Sequence, residues 1–224
     1  VEPDVPHRKS KQVIQVPLVY PALYNGPVSY YSRLIGEKKI LLEQYEHYSK
    51  QTYRNRFRIL GPNGVLTLSV PVKRKRGVKN YLRDIRIDYD TPWNKIHWRS
   101  MVASYASSPF FHYMMDDLVP FYENRIGFLV DLNEGLLRAT LSLIGLEIPV
   151  ERTSSFIFLE DEMDPRAVIH PKLDYTVHDP FFRSVPYHQV FSDRTAFQAN
   201  LSILDLLFNE GPNALPLLRR SLKI

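Results

Sequence analysis

Residues 44–72, QYEHYSKQTYRNRFRILGPNGVLTLSVPV, decide the fold. Arg54, Arg56 and Arg58 recur at every second position, and in an extended strand such side chains share a face, neighbours lying roughly 6.5 to 7 Å apart. Tyr53, Asn55, Phe57 and Ile59 then face the other way. Gly61-Pro62-Asn63-Gly64 is a turn, and Leu66, Leu68 and Val70 alternate with Thr67 and Ser69. Residues 53–60 and 65–72 therefore read as an antiparallel hairpin. A guanidinium fork grips carboxylate or phosphate bidentately, so the arginine stripe is a candidate anion site. The same spacing also fits a wet sheet face carrying solvated arginines, and spacing alone does not choose between the two.

Upstream, residues 13–16 read as a short strand, Pro17, Pro21 and Pro27 mark a loop, 28–35 form a short helix and 39–42 a buried strand. Downstream, residues 81–88 alternate as a further strand. Thr91-Pro92 opens a helix over 93–106 with the threonine as cap. Helices over 109–122 and 126–143 follow, bounded by Gly145 and Pro149. After Glu151 the pattern loosens as far as Phe197, and Asn200 then caps an apolar run read as a helical pair broken near Gly211. The fold class is α/β in the α+β sense. A polar tail over 1–12 precedes a single domain over 13–224, whose mixed, mainly antiparallel sheet from the first half packs against a helical second half.

With 44% hydrophobic and 24% charged residues the chain has the composition of a soluble globular protein. The absence of cysteine excludes disulfides, thiolate metal sites and a cysteine nucleophile. The net charge of +5 draws on Lys73, Arg74, Lys75, Arg76 and Lys79, a run that attracts anions and is expected to be exposed and remote from the site. The most apolar long stretch, 128–150, is interrupted by Asp131, Glu134, Arg138 and Glu147, which marks a core helix rather than a membrane span. The absence of cysteine leaves the cytosol as the simplest home, and no secretion signal is visible at the start.

No G-x-S-x-G, P-loop or G-x-G-x-x-G is present. His47, His112, His170, His178 and His188 lack paired metal spacing, and Asp116 and Asp117 point about 100° apart on a helix, so no metal site is expected. Ser107-Ser108 before Pro109 reads as a helix-to-helix turn. His97 falls between Trp93 and Met101 at i, i+4 spacing, which suits either a general base or a packed imidazole with a hydrogen bond.

Taken together, Lys50-x-x-Tyr53-x-Asn55-Arg56, NR-x-R-I-L at 55–60, W-x-x-x-HWRS at 93–100, SPFF at 108–111 and NLSILDLLFN-x-GP at 200–212 resemble the WbqC-like protein family in its Bacteroidetes form, from about residue 15 to 214. The opening QVPLVYP, residues 15–21, departs from the family's usual Q-P-x-Y-F-P-like element. The resemblance implies a cytoplasmic protein of O-antigen or surface-polysaccharide biosynthesis. It places Lys50, Tyr53, Asn55 and Arg56 first for substrate binding, and puts His97 and Gln189 in family motifs. Asn55 can instead tie its loop down.

The reading this supports is a transferase moving an acyl or aminoacyl group to an amino sugar on a nucleotide or lipid diphosphate. Arg56, Arg58 or Lys50 would hold phosphate or carboxylate, Asn55 would orient the acceptor, His97 would take the amine proton, and Tyr53 and Trp93 would stack on a sugar or base. Gln189, without an evident structural role, joins them in one cleft. The partner is an anionic small molecule such as a nucleotide sugar or acyl donor; no cofactor and no oligomeric state is named. The rival is a non-catalytic anion-binding, nucleic-acid-binding or assembly protein, although no nucleic-acid motif accompanies the basic run.

Overall fold

The computed structural model describes residues 18–74, 77–159 and 164–223. The tail over 1–12, the strand expected at 13–16 with Gln15, Pro17, and Lys75 and Arg76 of the basic run lie outside the described residues. In chain order the elements are β1 (Val19–Pro21), α1 (Val28–Arg33), β2 (Ile40–Glu43), β3 (Arg56–Gly61), β4 (Gly64–Ser69), β5 (Val72–Lys73), a 3-10 turn (Leu82–Asp84), β6 (Arg86–Ile87), α2 (Trp93–Tyr105), α3 (Phe111–Leu118), α4 (Pro120–Glu123), α5 (Leu129–Ile144), β7 (Val150–Arg152), α6 (Pro165–Val168), α7 (Tyr175–His178), α8 (Ile203–Glu210) and α9 (Ala214–Ser221).

The result is a mixed α/β chain with small sheets, its helices concentrated in the later part. The expected single, mainly antiparallel sheet is corrected. β1, β2 and β7 form a three-stranded sheet in which both pairings are parallel, and the β3–β4 and β5–β6 pairs stand as separate antiparallel ladders. Parallel strands cannot be joined by a tight turn. α1 supplies the crossover from β1 to β2, and the whole segment from the hairpin to α5 intervenes before β7. Strand β1 falls inside the expected proline loop; as an edge strand it tolerates Pro21. β7 falls where the sequence pattern loosens, because three residues are too few to show a period.

The hairpin stands as expected from Arg56 to Ser69, in register Arg56↔Ser69 to Gly61↔Gly64. Gly64 takes φ +109, a region open to glycine and closed to most side chains. Residues 81–88 are corrected from strand to a 3-10 turn followed by two strand residues. Leu82 and Ile85 are both fully buried. That three-residue spacing suits a 3-10 turn and would put them on opposite faces of a strand.

α2 buries Trp93, His97, Met101 and Tyr105. Its N-cap is Pro92, with no side-chain hydrogen bond from Thr91. Asn200 is corrected as well. α8 is capped by Ser202, whose hydroxyl accepts from Leu204 N, while Asn200 sits at φ +52 and its Oδ1 accepts from Ser29 N at 2.9 Å. Asn200 thus caps α1, whose own N-cap Pro27 has no side chain for the purpose. Around it, Ser202 N donates to Arg58 O, Ile203 N to Gly26 O and Ser202 Oγ to Asn25 O, which stitches β3, α1 and α8 together.

Gly211 does break α8 from α9, with φ +51. A Cβ there would lie 2.5 Å from the Phe110 ring, so the SPFF and N-E-G-P motifs need each other. The core is rich in tyrosine: Tyr20, Tyr24, Tyr30, Tyr31 and Tyr105 are all but fully buried. Buried phenols require partners. Tyr20 donates to Arg33 O, Tyr30 to Pro21 O and Tyr105 to Asp205.

Candidate functional site

β3 divides the candidate residues by face. Phe57 and Ile59 are fully buried on one side, while Arg56 and Arg58 are half-buried on the other, as alternation requires. Arg54 leaves the ladder. The backbone turns through residues 51–55, with Gln51 at φ +60 and Asn55 N donating to Thr52 O. Arg54 is carried inward, where Nε and an Nη atom grip Glu46 bidentately at 2.7 and 2.6 Å. Its carbonyl accepts from Asn133 Nδ2 at 2.8 Å.

The two arginines that stay on the face are unusual. Nε of Arg56 and of Arg58 are shut off from solvent without a hydrogen-bond partner. Among the described residues neither guanidinium has a carboxylate within ion-pair distance. Arg58 lies 5.8 Å over the Tyr53 ring and reaches Asn200 O at 3.5 Å. Burial raises the Tyr53 phenol, with Arg58 pulling it back. Tyr48 and His170 stand in the same field. Burial raises the Tyr48 phenol against the charges of Arg74, Arg56 and Arg54, and lowers His170 with help from Arg54, Lys172 and Arg56. His170 Nδ1 accepts from Lys172 N at 3.1 Å, so the neutral ring carries its proton on Nε2 and offers a donor.

The resulting surface is built of donors. Two guanidiniums with unsatisfied N–H groups, two phenols and an imidazole N–H suit a carboxylate or phosphate. Tyr48 and His170 escaped the sequence reading because they lie outside the alternating strand, and His170 is far along the chain. Among the described residues no group of three His, Cys, Asp or Glu side chains is placed to hold a metal ion.

The remaining candidates have other surroundings. Asn55 closes the open end of the hairpin. Its Nδ2 donates to Val70 O, its carbonyl accepts from Val70 N, and only its buried Oδ1 has no partner. Lys50 is exposed. Gln189 is saturated: Oε1 accepts from Gln198 N, and Nε2 donates to Gln198 O and to Asp205 Oδ2. It reaches β3 only by way of Asp205 and Tyr105, whose hydroxyl accepts from Leu60 N.

Trp93 and His97 lie on the far face of β3 from the arginines, the His97 ring 6.1 Å from Phe57 and 5.1 Å from Trp93. Trp93 is buried, its Nε1 unpartnered. His97 is 3% exposed, its Nδ1 is 2.8 Å from the Tyr24 hydroxyl, and its ring contacts the Ser69 backbone.

Burial pushes His97 down to about 4. The unfolded chain takes up this proton near pH 6.5 and the folded chain only near 4. The stability contribution is therefore complete above about pH 6.5 and is lost as pH falls through that window, by about 3 kcal/mol. Asp205, raised by burial, works in the opposite sense. Comparing variants separates them. His97→Gln should flatten the rise in stability between pH 4.5 and 7 measured by urea unfolding, and an unchanged slope would show that His97 does not supply it.

The model of the WbqC-like protein family matches residues 24–177, more than half of the chain. Among curated proteins, "Uncharacterized protein Rv1507c" of Mycobacterium tuberculosis is 29% identical over 194 residues, covering 77% of this chain and 84% of that protein. No solved structure matches the chain. Among the described residues no helix is long and apolar enough to cross a membrane.

Proposed function

The chain belongs to the WbqC-like protein family, and on that footing we propose that it is a cytoplasmic enzyme of surface-polysaccharide biosynthesis, transferring an acyl or aminoacyl group to an amino sugar. One observation carries the reading. Arg56 and Arg58 share a face of β3, half-buried, and among the described residues no carboxylate neutralises either guanidinium and no acceptor meets either Nε–H. Two neighbouring half-buried guanidinium charges left without a counter-charge are costly, and an anionic substrate meeting the guanidinium atoms that stay open to solvent supplies one.

In this scheme Arg56 and Arg58 hold the carboxylate or phosphate, Tyr53 backs Arg58, Lys50 adds an exposed cation, and Tyr48 and His170 complete the donor set. Asn55 fixes the hairpin that presents the arginines. Trp93, His97 and Gln189 support the scaffold behind it. His97 packs against Phe57 on the opposite face of β3 from the arginines, so the expected general-base role is not part of this scheme.

Calorimetry of the full chain against sugar nucleotides, carboxylate acyl donors and amino acids tests the reading. Arg56→Ala and Arg58→Ala should each weaken the ligand by about 1.5 to 3 kcal/mol, the range for charged hydrogen bonds, or roughly ten- to 150-fold. Affinity unchanged in both variants would remove the site. Binding of RNA with a steep salt dependence and no saturable small ligand would favour the non-catalytic binding protein instead.

A further inference from the structure

Beside the arginine face lies a groove of about 770 Å³, lined by Arg74, Lys79, Asn80, Tyr81, Arg86 and Phe128 among others. The expectation that the basic run is remote from the site does not hold for Arg74. Tyr48 N donates to Asn80 O at 2.9 Å, and the charges of Arg74 and Arg56 both act on the Tyr48 phenol, so Tyr48 ties the segment that lines the groove to the arginine face.

The cations of the groove differ. Lys73 is held by Asp88 and Asp90 at 3.3 and 3.1 Å. Arg74, Lys79 and Arg86 have no carboxylate partner among the described residues, and the one acidic side chain lining the groove, Asp84, lies 3.7 Å from Arg83. Arg86 is not loose. Its guanidinium lies 4.6 Å over the Phe128 ring, which holds it in place without neutralising it. Tyr81 stacks on His47 with centroids 5.0 Å apart and an angle of 18°, and remains 40% exposed.

We infer that this groove seats a nucleoside diphosphate, with the base stacked on Tyr81, the two phosphates met by Arg74, Lys79 and Arg86, and the group on the distal phosphate directed past Tyr48 to Arg56. The volume is of the size that encloses a small ligand. Three unpaired cations match the charge of one diphosphate, and an exposed aromatic ring meets the flat face of a base. The last clause rests on the proposed function; the nucleotide half rests on the groove alone.

The experiment is calorimetry of the full chain with adenosine, guanosine, cytidine and uridine diphosphates, each bare, in wild type and four variants. At least one diphosphate should bind. Arg74→Glu and Lys79→Glu, both at the surface, should weaken it by at least about tenfold, and Tyr81→Ala by about tenfold, while Arg56→Ala should change it by less than about threefold. Loss in Lys79→Glu without any effect of Arg56→Ala on sugar nucleotides leaves the groove assigned and removes the arginine-face function. Tenfold loss in Arg56→Ala with Lys79→Glu unaffected overturns the groove and leaves the arginine face. No binding at millimolar diphosphate, or affinity for a single-stranded RNA that climbs with its length past one nucleotide, overturns the inference outright.

Discussion

Arg54→Ala is expected to lose about 3 to 5 kcal/mol of stability, the usual cost of stranding one member of a buried ion pair. Glu46 is 8% exposed and Arg54 4%, and the pair is bidentate. With the guanidinium gone, the carboxylate must stay charged in a poor solvent, take up a proton or pull its loop open. Two residues on, Arg56→Ala should leave stability within about 1 kcal/mol, because its guanidinium satisfies nothing in the fold. The contrast is the point of the experiment. Urea unfolding of the two variants, read against ligand affinity for Arg56→Ala, separates a structural arginine from a binding one. Equal losses of stability would mean that Arg56 is part of the scaffold.

The second large effect belongs to Asp205. Its carboxylate is fully buried and accepts from Tyr105 at 2.8 Å, Tyr187 at 2.6 Å and Gln189 at 2.8 Å, and among the described residues no cation pairs with it. Asp205→Ala leaves the buried Tyr105 and Gln189 donors and the half-buried Tyr187 hydroxyl facing a cavity. At roughly 1 to 3 kcal/mol for each unmade bond, and allowing for relaxation, a loss of about 3 to 6 kcal/mol is expected. That is comparable with the whole stability of many domains. Tyr187→Phe removes one donor together with its hydroxyl and should cost far less, about 1 kcal/mol. The comparison guards against mere loss of volume. A drop under about 1 kcal/mol for Asp205→Ala in denaturant titration would show that the network holds nothing together. Since Leu60 N donates to the Tyr105 hydroxyl that this carboxylate holds, its loss also loosens the strand that carries Arg58.

Local features were legible along the chain. The hairpin over residues 56–69 follows from a period of two, a Pro-Asn turn and a glycine where φ must be positive. The helices at Trp93–Tyr105 and Leu129–Ile144 follow from apolar spacing, and Gly145 ends the second in the left-handed conformation. The alternation that puts Arg56 and Arg58 opposite Phe57 is equally local, which is why these two were legible as a pair. The short strands of the parallel sheet were not, since neither β1 nor β7 has more than three residues and each is stable only beside β2.

Tertiary structure decided which polar groups are free. Arg54 and Arg56 look alike along the chain, yet a turn at Gln51 sends one to Glu46 and leaves the other unpaired. Gln189 gains its structural role only from Asp205 and Gln198, 16 and 9 residues further along the chain. Asn200 lies just ahead of α8 in sequence, yet it caps α1. Each outcome depends on a partner distant in sequence, and hydrogen-bond satisfaction, unlike periodicity, is a property of the packed chain alone.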